Sequence, residues 1–329
     1  MNSLLSICIP TYGRPQLLRE TAAELIRQAR PHAIGLFISD NSEDELTTRV
    51  VDELKADYPH IAYSRNEKNI GIDRNFLKVA SMADTRYIWF FGDDDRPVPH
   101  AVDKVLHEVT NAGDTEFFLV NSKPMTPDMQ REMNDNLTDI RADVVYRDGN
   151  EALREVSWYS TFVGAYVVKV EAWRAIDPTA WLDTVFVHVG VMFSAMASRG
   201  TSLKVISEPL ICYRTGTATW SGSFLNIQFV LWKRTIDLLP AAFDALSRRI
   251  AVESVVERFV TVGALVGTRT SGNLNHRSFR SIVWPYLRWA RKGRHATWRI
   301  GLTVAALLLV PVRALQLLRV VYRRIRYGN

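Results

Sequence analysis

Cysteine is nearly absent: Cys8 and Cys212 are the two in 329 residues, and Cys8 lies inside an apolar run. Such a pair provides no disulfide framework and no metal-thiolate cluster, and it suits a reducing compartment. The amino-terminal stretch "MNSLLSICIPTYGRP" has no basic segment and only a short apolar one, so a signal peptide is not expected. There is no GxGxxG, Walker A, HExxH or GxSxG pattern, which removes the residues that nicotinamide, P-loop, zincin and hydrolase chemistries require. Internal repeats and low-complexity tracts are missing as well. The sharpest absence is of acid. From Arg258 to Asn329 there are 14 Lys and Arg and no Asp or Glu, leaving 27 basic against 35 acidic residues before it. That asymmetry points to an anionic partner, membrane or nucleic acid, with a solvated basic face as the plain alternative. No nucleic-acid motif accompanies the charge, so nucleic acid is not the expected partner.

What is present describes a folded enzyme-sized chain. Hydrophobic residues make up 47% and charged ones 23%, enough for a large core in one domain or two. The first 120 residues alternate strand and helix patterns. "LLSICIP", "AIGLFISD", "IAYS", "RYIWFF" and "EFFLV" read as strands, separated by "QLLRETAAELIRQA", a helix opened by a Ser42/Glu45 capping box, "NFLKVASMA" and a helix from about Pro99 to Val109. This alternation predicts βαβ units and a parallel sheet whose ligand site lies at the carboxyl ends of the strands. Residues 121–148 read as a long polar connection. They precede a strand-like "TFVGAYVVK", a helix ended by Gly200, a strand "LKVIS" and a Gly/Ser/Thr-punctuated loop around Trp220.

The strand "YIWFF" runs straight into Asp93, Asp94 and Asp95. Adjacent carboxylates repel and resist desolvation unless a cation or hydrogen-bond donors sit among them. Mg²⁺ or Mn²⁺ held by one or two carboxylates and a substrate phosphate is one answer, and an Asp-rich surface turn is the other. Pro10-Thr11-Tyr12 and Asp40-Asn41 end two other strands, so three polar clusters are expected at the same sheet edge.

In order and spacing, "SICIPTYGRPQLL", "SDNSEDE", "NEKNIGIDRNF" and "FFGDDDRPVP" resemble the nucleotide-binding half of family 2 inverting glycosyltransferases with the GT-A fold, of the abequosyltransferase-like, O-antigen or cell-wall type. The resemblance is strong from Ser6 to Val109 and weak onwards to about Trp220. It implies an α/β, Rossmann-like mixed sheet followed by a mainly helical carboxyl-terminal region. It also implies a divalent metal, Mn²⁺ or Mg²⁺, and a nucleoside-diphosphate sugar as donor. Pro10, Thr11, Tyr12, Arg14 and Asp40 correspond to the nucleobase and ribose contacts, and Asn69, Gly71, Arg74 and Asn75 line the nucleotide-sugar site. The aspartate run matches the DXD motif, whose second Asp falls on Asp94, the first-choice metal ligand, with Asp95 as a further ligand or supporting group. Its first position falls on Gly92, a departure, leaving Asp93 as the ribose contact. Arg74 and Arg214 are candidate phosphate contacts, each equally readable as a surface ion pair.

Inverting transfer needs a general base. The family's usual Glu-Asp pair falls here on His188 and Val189, so His188 becomes the candidate, with Asp183 as the alternative. A packed, non-catalytic His188 is also open. Trp220 reads either as a lid over the sugar or as a core residue. In the tail, "IGLTVAALLLVPV" would span about 20 Å as a helix, short of the roughly 30 Å bilayer core, so it reads as a core or interfacial helix, with a transmembrane anchor over Ile300–Val312 as the minority alternative. "RALQLLRVVYRRIR" places Arg313, Gln316, Arg319, Arg323 and Arg326 on one side and Leu315, Leu318, Tyr322 and Ile325 on the other, the pattern of interfacial attachment.

The expectation is therefore a glycosyltransferase domain over 1–223, with a nucleotide-sugar half (1–120) and an acceptor half (121–223), and a basic, membrane-associating region over 224–329. The sugar passes to a hydroxyl of a glycan or lipid-linked acceptor at the cytoplasmic face of the inner membrane. A membrane-bound nucleotide-sugar-binding module that has lost its base is the alternative.

Overall fold

Leu5–Thr11 forms the first strand, β1, in a computed structural model that describes residues 2–133, 141–217, 222–290 and 297–317. The chain then alternates as the sequence pattern predicts: α1 Pro15–Ala29, β2 Gly35–Asp40, α2 Leu46–Asp57, β3 Ile61–Arg65, α3 Ile72–Ser81, β4 Tyr87–Phe90. A two-residue strand β5, Arg96–Pro97, and α4, Ala101–Thr110, lead to β6, Thr115–Met125. The remaining elements of this unit are β7 Val144–Tyr146, α5 Gly149–Val156, β8 Tyr166–Lys169, α6 Val170–Arg174, α7 Val187–Arg199 and β9 Ser202–Arg214.

One sheet holds all nine strands in the order β3-β2-β1-β4-β8-β6-β9-β5, with β7 also on β9. β1, β2, β3 and β4 are mutually parallel, whereas β8 enters antiparallel between β4 and β6. The sheet is therefore mixed, not parallel throughout. The antiparallel insertion comes from the second half, where two 3₁₀ turns over 159–165 consume most of the "TFVGA" stretch and leave only Tyr166–Lys169 as strand. The polar connection is also shorter than its composition suggests, because β6 continues to Met125 and Val144–Tyr146 pairs with β9.

Burial on both faces explains the unbroken apolar runs of β1, β2 and β4. Leu5, Ile7 and Ile9 point into a cluster with Leu18, Ala22 and Leu25 of α1, Val51 of α2 and Val105 of α4. Cys8, on the opposite face, sits 3.6 Å from the Val79 carbonyl of α3, and burial pushes its thiol far above the usual range. Pro15 occupies the first turn of α1, where its missing N–H costs nothing, and Gly200 ends α7 at φ 63°. The expected capping box does not form. Ser42 Oγ instead accepts the Gly13 N–H at 2.8 Å, and Asp44 accepts the Leu46 N–H. Tying two loops of the site together has displaced a local cap.

The chain divides into two compact units, one within Met1–Thr217 and Leu238–Asp244, the other within Ala218–Asp237 and Ala245–Asn329. The second is helical. Trp232 Nε1 donates to the Ala251 carbonyl at 2.9 Å, the Phe229 and Tyr286 rings meet edge to face at 4.8 Å, and Leu287 packs against Gly301 of the helix Thr297–Leu309. Trp220 and most of the predicted "RALQLLRVVYRRIR" helix lie outside the described residues.

Candidate active site

The loops that leave β1, β2 and β4 meet at one sheet edge. β1 delivers Thr11, whose Oγ1 donates to Asp93 Oδ2 at 2.7 Å. Arg14, in the turn before α1, donates from one guanidinium nitrogen to Asp93 at 3.1 Å and to Asp94 at 2.8 Å, and from the other to the Thr217 carbonyl. Thr217 Oγ1 donates to Asp94 Oδ2 at 2.6 Å, and Thr21 Oγ1 to the carbonyls of Asp93 and Asp95. This answers the electrostatic problem of three adjacent carboxylates: one internal cation and several hydrogen-bond donors sit among them. Compensation is partial. Burial, with Asp94 adding to it, pushes Asp93 up to about 6, against the pull of Arg14 and Thr11.

Asp95 points the other way. It is buried, its Oδ1 accepts the Arg214 N–H at 3.1 Å, and burial with the neighbouring Asp94 holds it well above the usual carboxylate range. A Cβ added at Gly92 would lie 2.4 Å from Asp95 Oδ2. The glycine at the first motif position is thus required by shape: the Asp95 carboxylate fills the space. An inward-facing, protonation-prone Asp95 does not suit the expected metal ligand. Asp94 does, because its Oδ2 is engaged while Oδ1 has no hydrogen bond among the described residues. No three His, Cys, Asp or Glu side chains among the described residues are placed to share an ion. The donor set fits a divalent ion held by one carboxylate and completed by a substrate diphosphate.

Asp40, at the end of β2, is buried; its Oδ1 accepts the Ser42 N–H and its Oδ2 the Tyr63 hydroxyl at 2.9 Å. Tyr12 is exposed beside Pro10 and Thr11. Asn69 closes the turn before α3 by accepting the Gly71 N–H, and Gly71 adopts φ 86°, a conformation glycine enters freely. Asn75 was expected to line the nucleotide-sugar site. Its amide instead donates to the Thr11 and Ser39 carbonyls and its oxygen accepts from Ser39 Oγ and Asn66, so its bonding capacity is spent tying α3 to β1 and β2. Arg214, expected at a phosphate, is likewise spent on the Asp94 and Pro127 carbonyls and on Glu20.

The second half supplies a turn at 183–187. Asp183 has an exposed side chain that pairs with both guanidinium nitrogens of Arg74, at 2.6 and 3.4 Å. His188 is different: it is 2% exposed, ringed by Phe76, Tyr166 and Phe186, and neither ring nitrogen has a hydrogen-bond partner among the described residues. Burial drives its pKa down to about 3, so it stays neutral and enclosed. A base must reach the acceptor hydroxyl, and His188 does not open onto solvent; the alternative, Asp183, does. Thr21, Tyr63, Asn66 and Thr217 escaped sequence reasoning because hydroxyl and amide residues outside the motifs carry no spacing signal. Asp73 lies inside "NEKNIGIDRNF", where nothing in the sequence sets it apart from a surface aspartate.

The comparison that decides the family is a match of residues 6–151 to the model of Glycosyl transferase family 2. Residues 6–151 form a domain of this family. That domain holds the four motifs around the aspartate cluster. Among curated proteins, the chain is 30% identical over 223 residues to the abequosyltransferase RfbV of Salmonella typhimurium, covering 64% of this chain and about two thirds (66%) of that protein. It is 25% identical over 124 residues to the processive diacylglycerol beta-glycosyltransferase of Mycoplasma pneumoniae, covering 37% of this chain and 36% of the relative. Among solved structures, TarS of S. aureus in complex with UDP-GlcNAc superposes with a TM-score of 0.56 at 12% identity, over 81% of each chain. The mannosyltransferase PcManGT of Pyrobaculum calidifontis, in complex with GDP-Man and Mn²⁺, gives 0.53 at 14% identity over 95% and 83%. The fold is the GT-A-type mixed sheet with a helical carboxyl-terminal region.

Proposed function

We propose that the protein moves a sugar from a nucleoside-diphosphate donor to a hydroxyl of a glycan or lipid-linked acceptor, with inversion, in surface polysaccharide synthesis. The observation that carries this reading is the convergence of Thr11, Arg14, Asp40, Asp93 and Asp94 from three strand ends onto one edge of the sheet. Asp93, oriented by Thr11 and Arg14, offers an acceptor for the nucleoside, while Asp40, fully buried with its oxygens on Ser42 and Tyr63, shapes the β2 turn beside it. Asp94 would hold a divalent ion, Mn²⁺ or Mg²⁺, which neutralises charge on the departing diphosphate. Arg14, bonded to both acidic groups, offsets part of their charge and so eases the approach of a diphosphate. Asp183 acts as the base that takes the acceptor proton, and the ion pair with Arg74 orients its carboxylate.

The second unit supports attachment to an anionic membrane, at the cytoplasmic face of the inner membrane. On the helix Thr297–Leu309, Ile300, Val304 and Leu307 are buried, while Trp298, Leu302 and Leu309, on the other side, are 57%, 61% and 85% exposed. No described helix is long and apolar enough to cross a bilayer. A short helix apolar on its outer face, in a segment without acid, suits insertion along the interface. A hollow of about 510 Å³ lined by His276, Arg277, Arg280 and Ser281 adds a cationic seat to the same unit. Lipid phosphate is the matching chemistry, worth about 1 kcal/mol per basic residue near an anionic leaflet.

The test is calorimetric titration of UDP, CDP, GDP and dTDP with Mn²⁺, with EDTA, and into Asp94→Asn. One nucleotide should bind, and EDTA or the substitution should weaken it at least about tenfold, roughly 1.4 kcal/mol. Equal, metal-indifferent binding of all four removes the assignment of Asp94.

A further inference from the structure

The turn that carries Asp183 is held in an unfavourable backbone conformation. Asp183 and Val185 both have φ of 63°, in the left-handed region. Aspartate tolerates that region, but a β-branched valine there is a clear outlier, so the surroundings must hold the turn. They do so through α3. Asp73, buried, accepts the Val185 N–H on Oδ2 at 2.9 Å and the Val187 N–H on Oδ1 at 3.2 Å. Val187 is the first residue of α7, so the same carboxylate caps that helix from outside, where a negative charge is favoured. Thr184 completes the turn, donating to the Trp181 carbonyl at 2.7 Å and accepting the Phe186 N–H. The next residue of α3, Arg74, grips the Asp183 side chain.

Two consecutive residues therefore clasp one turn, Asp73 by its main chain and Arg74 by its carboxylate. We infer that Asp73 is a positioning residue for the transfer step, fixing the strained 183–187 turn so that Asp183 faces the acceptor. The inference rests on the reading of Asp183 as the base. It also links the two sides of the site, because the carbonyl of Gly71, the residue that precedes α3, accepts from Asn41 of the donor-side cluster. A carboxylate is needed because both oxygens accept N–H groups. An Asn would turn an NH₂ toward one of those donors.

The experiment compares wild type, Asp73→Asn, Asp73→Asn/Val185→Gly and Asp183→Asn. Binding of the nucleoside diphosphate selected by calorimetry is measured beside its release from the matching nucleotide sugar, with lipid-linked glycans extracted from bacterial membranes as acceptor. Hydrogen exchange of the Val185 and Val187 amides is followed in parallel. Asp73→Asn should exchange those amides faster and lower kcat about 10- to 100-fold, the scale of a misplacement near 1 Å, with nucleotide affinity unchanged within about twofold. Val185→Gly, which removes the left-handed penalty, should recover part of kcat in the double variant. Wild-type kcat or unchanged exchange in Asp73→Asn overturns the inference. So does a parallel loss of nucleotide binding and thermal stability, which marks a purely structural role. An active Asp183→Asn removes base and positioning together, whereas an inactive Asp183→Asn beside an active Asp73→Asn removes the positioning alone.

Discussion

Replacing Gly92 by alanine adds one methyl group, and the geometry says where it goes. The new Cβ would lie 2.4 Å from Asp95 Oδ2 and 3.1 Å from its Cγ, inside any real contact. Asp95 is a short, buried side chain whose other oxygen accepts the Arg214 N–H, so a retreat costs that bond. Overpacking of this kind costs about 1–3 kcal/mol. If the side chain swings out instead, the clash is relieved but the buried Arg214 N–H loses its partner, at about 1–3 kcal/mol. Either way the expected destabilisation is roughly 1–3 kcal/mol, a sizeable part of the stability of an ordinary domain. Gly92→Asp, which would restore the commoner first motif residue, should be worse. The assay is urea unfolding of Gly92→Ala in wild-type and Asp95→Ala backgrounds. Without the carboxylate the methyl group has room, and Gly→Ala should then be neutral or slightly stabilising through the unfolded chain. Equal cost in both backgrounds, or a single variant within about 0.5 kcal/mol of wild type, refutes the steric argument.

His188 should make folding acid-sensitive without taking part in transfer. Its folded pKa is depressed to about 3, so the unfolded chain takes up the proton first, and stability present above about pH 6.5 is lost as the pH falls toward 3. His188→Leu should remove that loss, gaining on wild type by about 2 kcal/mol by pH 5 while keeping measurable transfer; an inactive, well-folded variant would return His188 to catalysis. Asp93 acts in the opposite sense: raised to about 6, it favours the folded state as the pH falls from 6 toward 4, and the His188→Leu profile should show that rise uncovered. On the helix 297–309, Leu302→Asp/Leu309→Asp should reduce co-sedimentation with anionic vesicles at least about tenfold and leave nucleotide binding intact. Unchanged sedimentation would place the membrane contact elsewhere.

Sequence alone determined the strand–helix alternation over residues 5–110, the gathering of Thr11, Asp40 and Asp93–Asp95 at one edge, and the unbalanced positive charge of the tail. These are legible because apolar periodicity follows backbone geometry, and strand-end residues of a parallel array must share an edge. Tertiary structure decided which polar groups remain open. Asn75, Arg214 and Asp95 carry the residue types of ligand contacts, yet buried main-chain groups that needed partners have claimed them. The same holds for the base. His188 and Asp183 stand five residues apart, and their spacing does not rank them. Packing encloses the imidazole among three rings, while a strained turn, tied down by Asp73, brings the carboxylate into solvent. Long-range contacts between residues 73 and 185 leave no periodic trace in a single chain, and only the folded molecule brings them together.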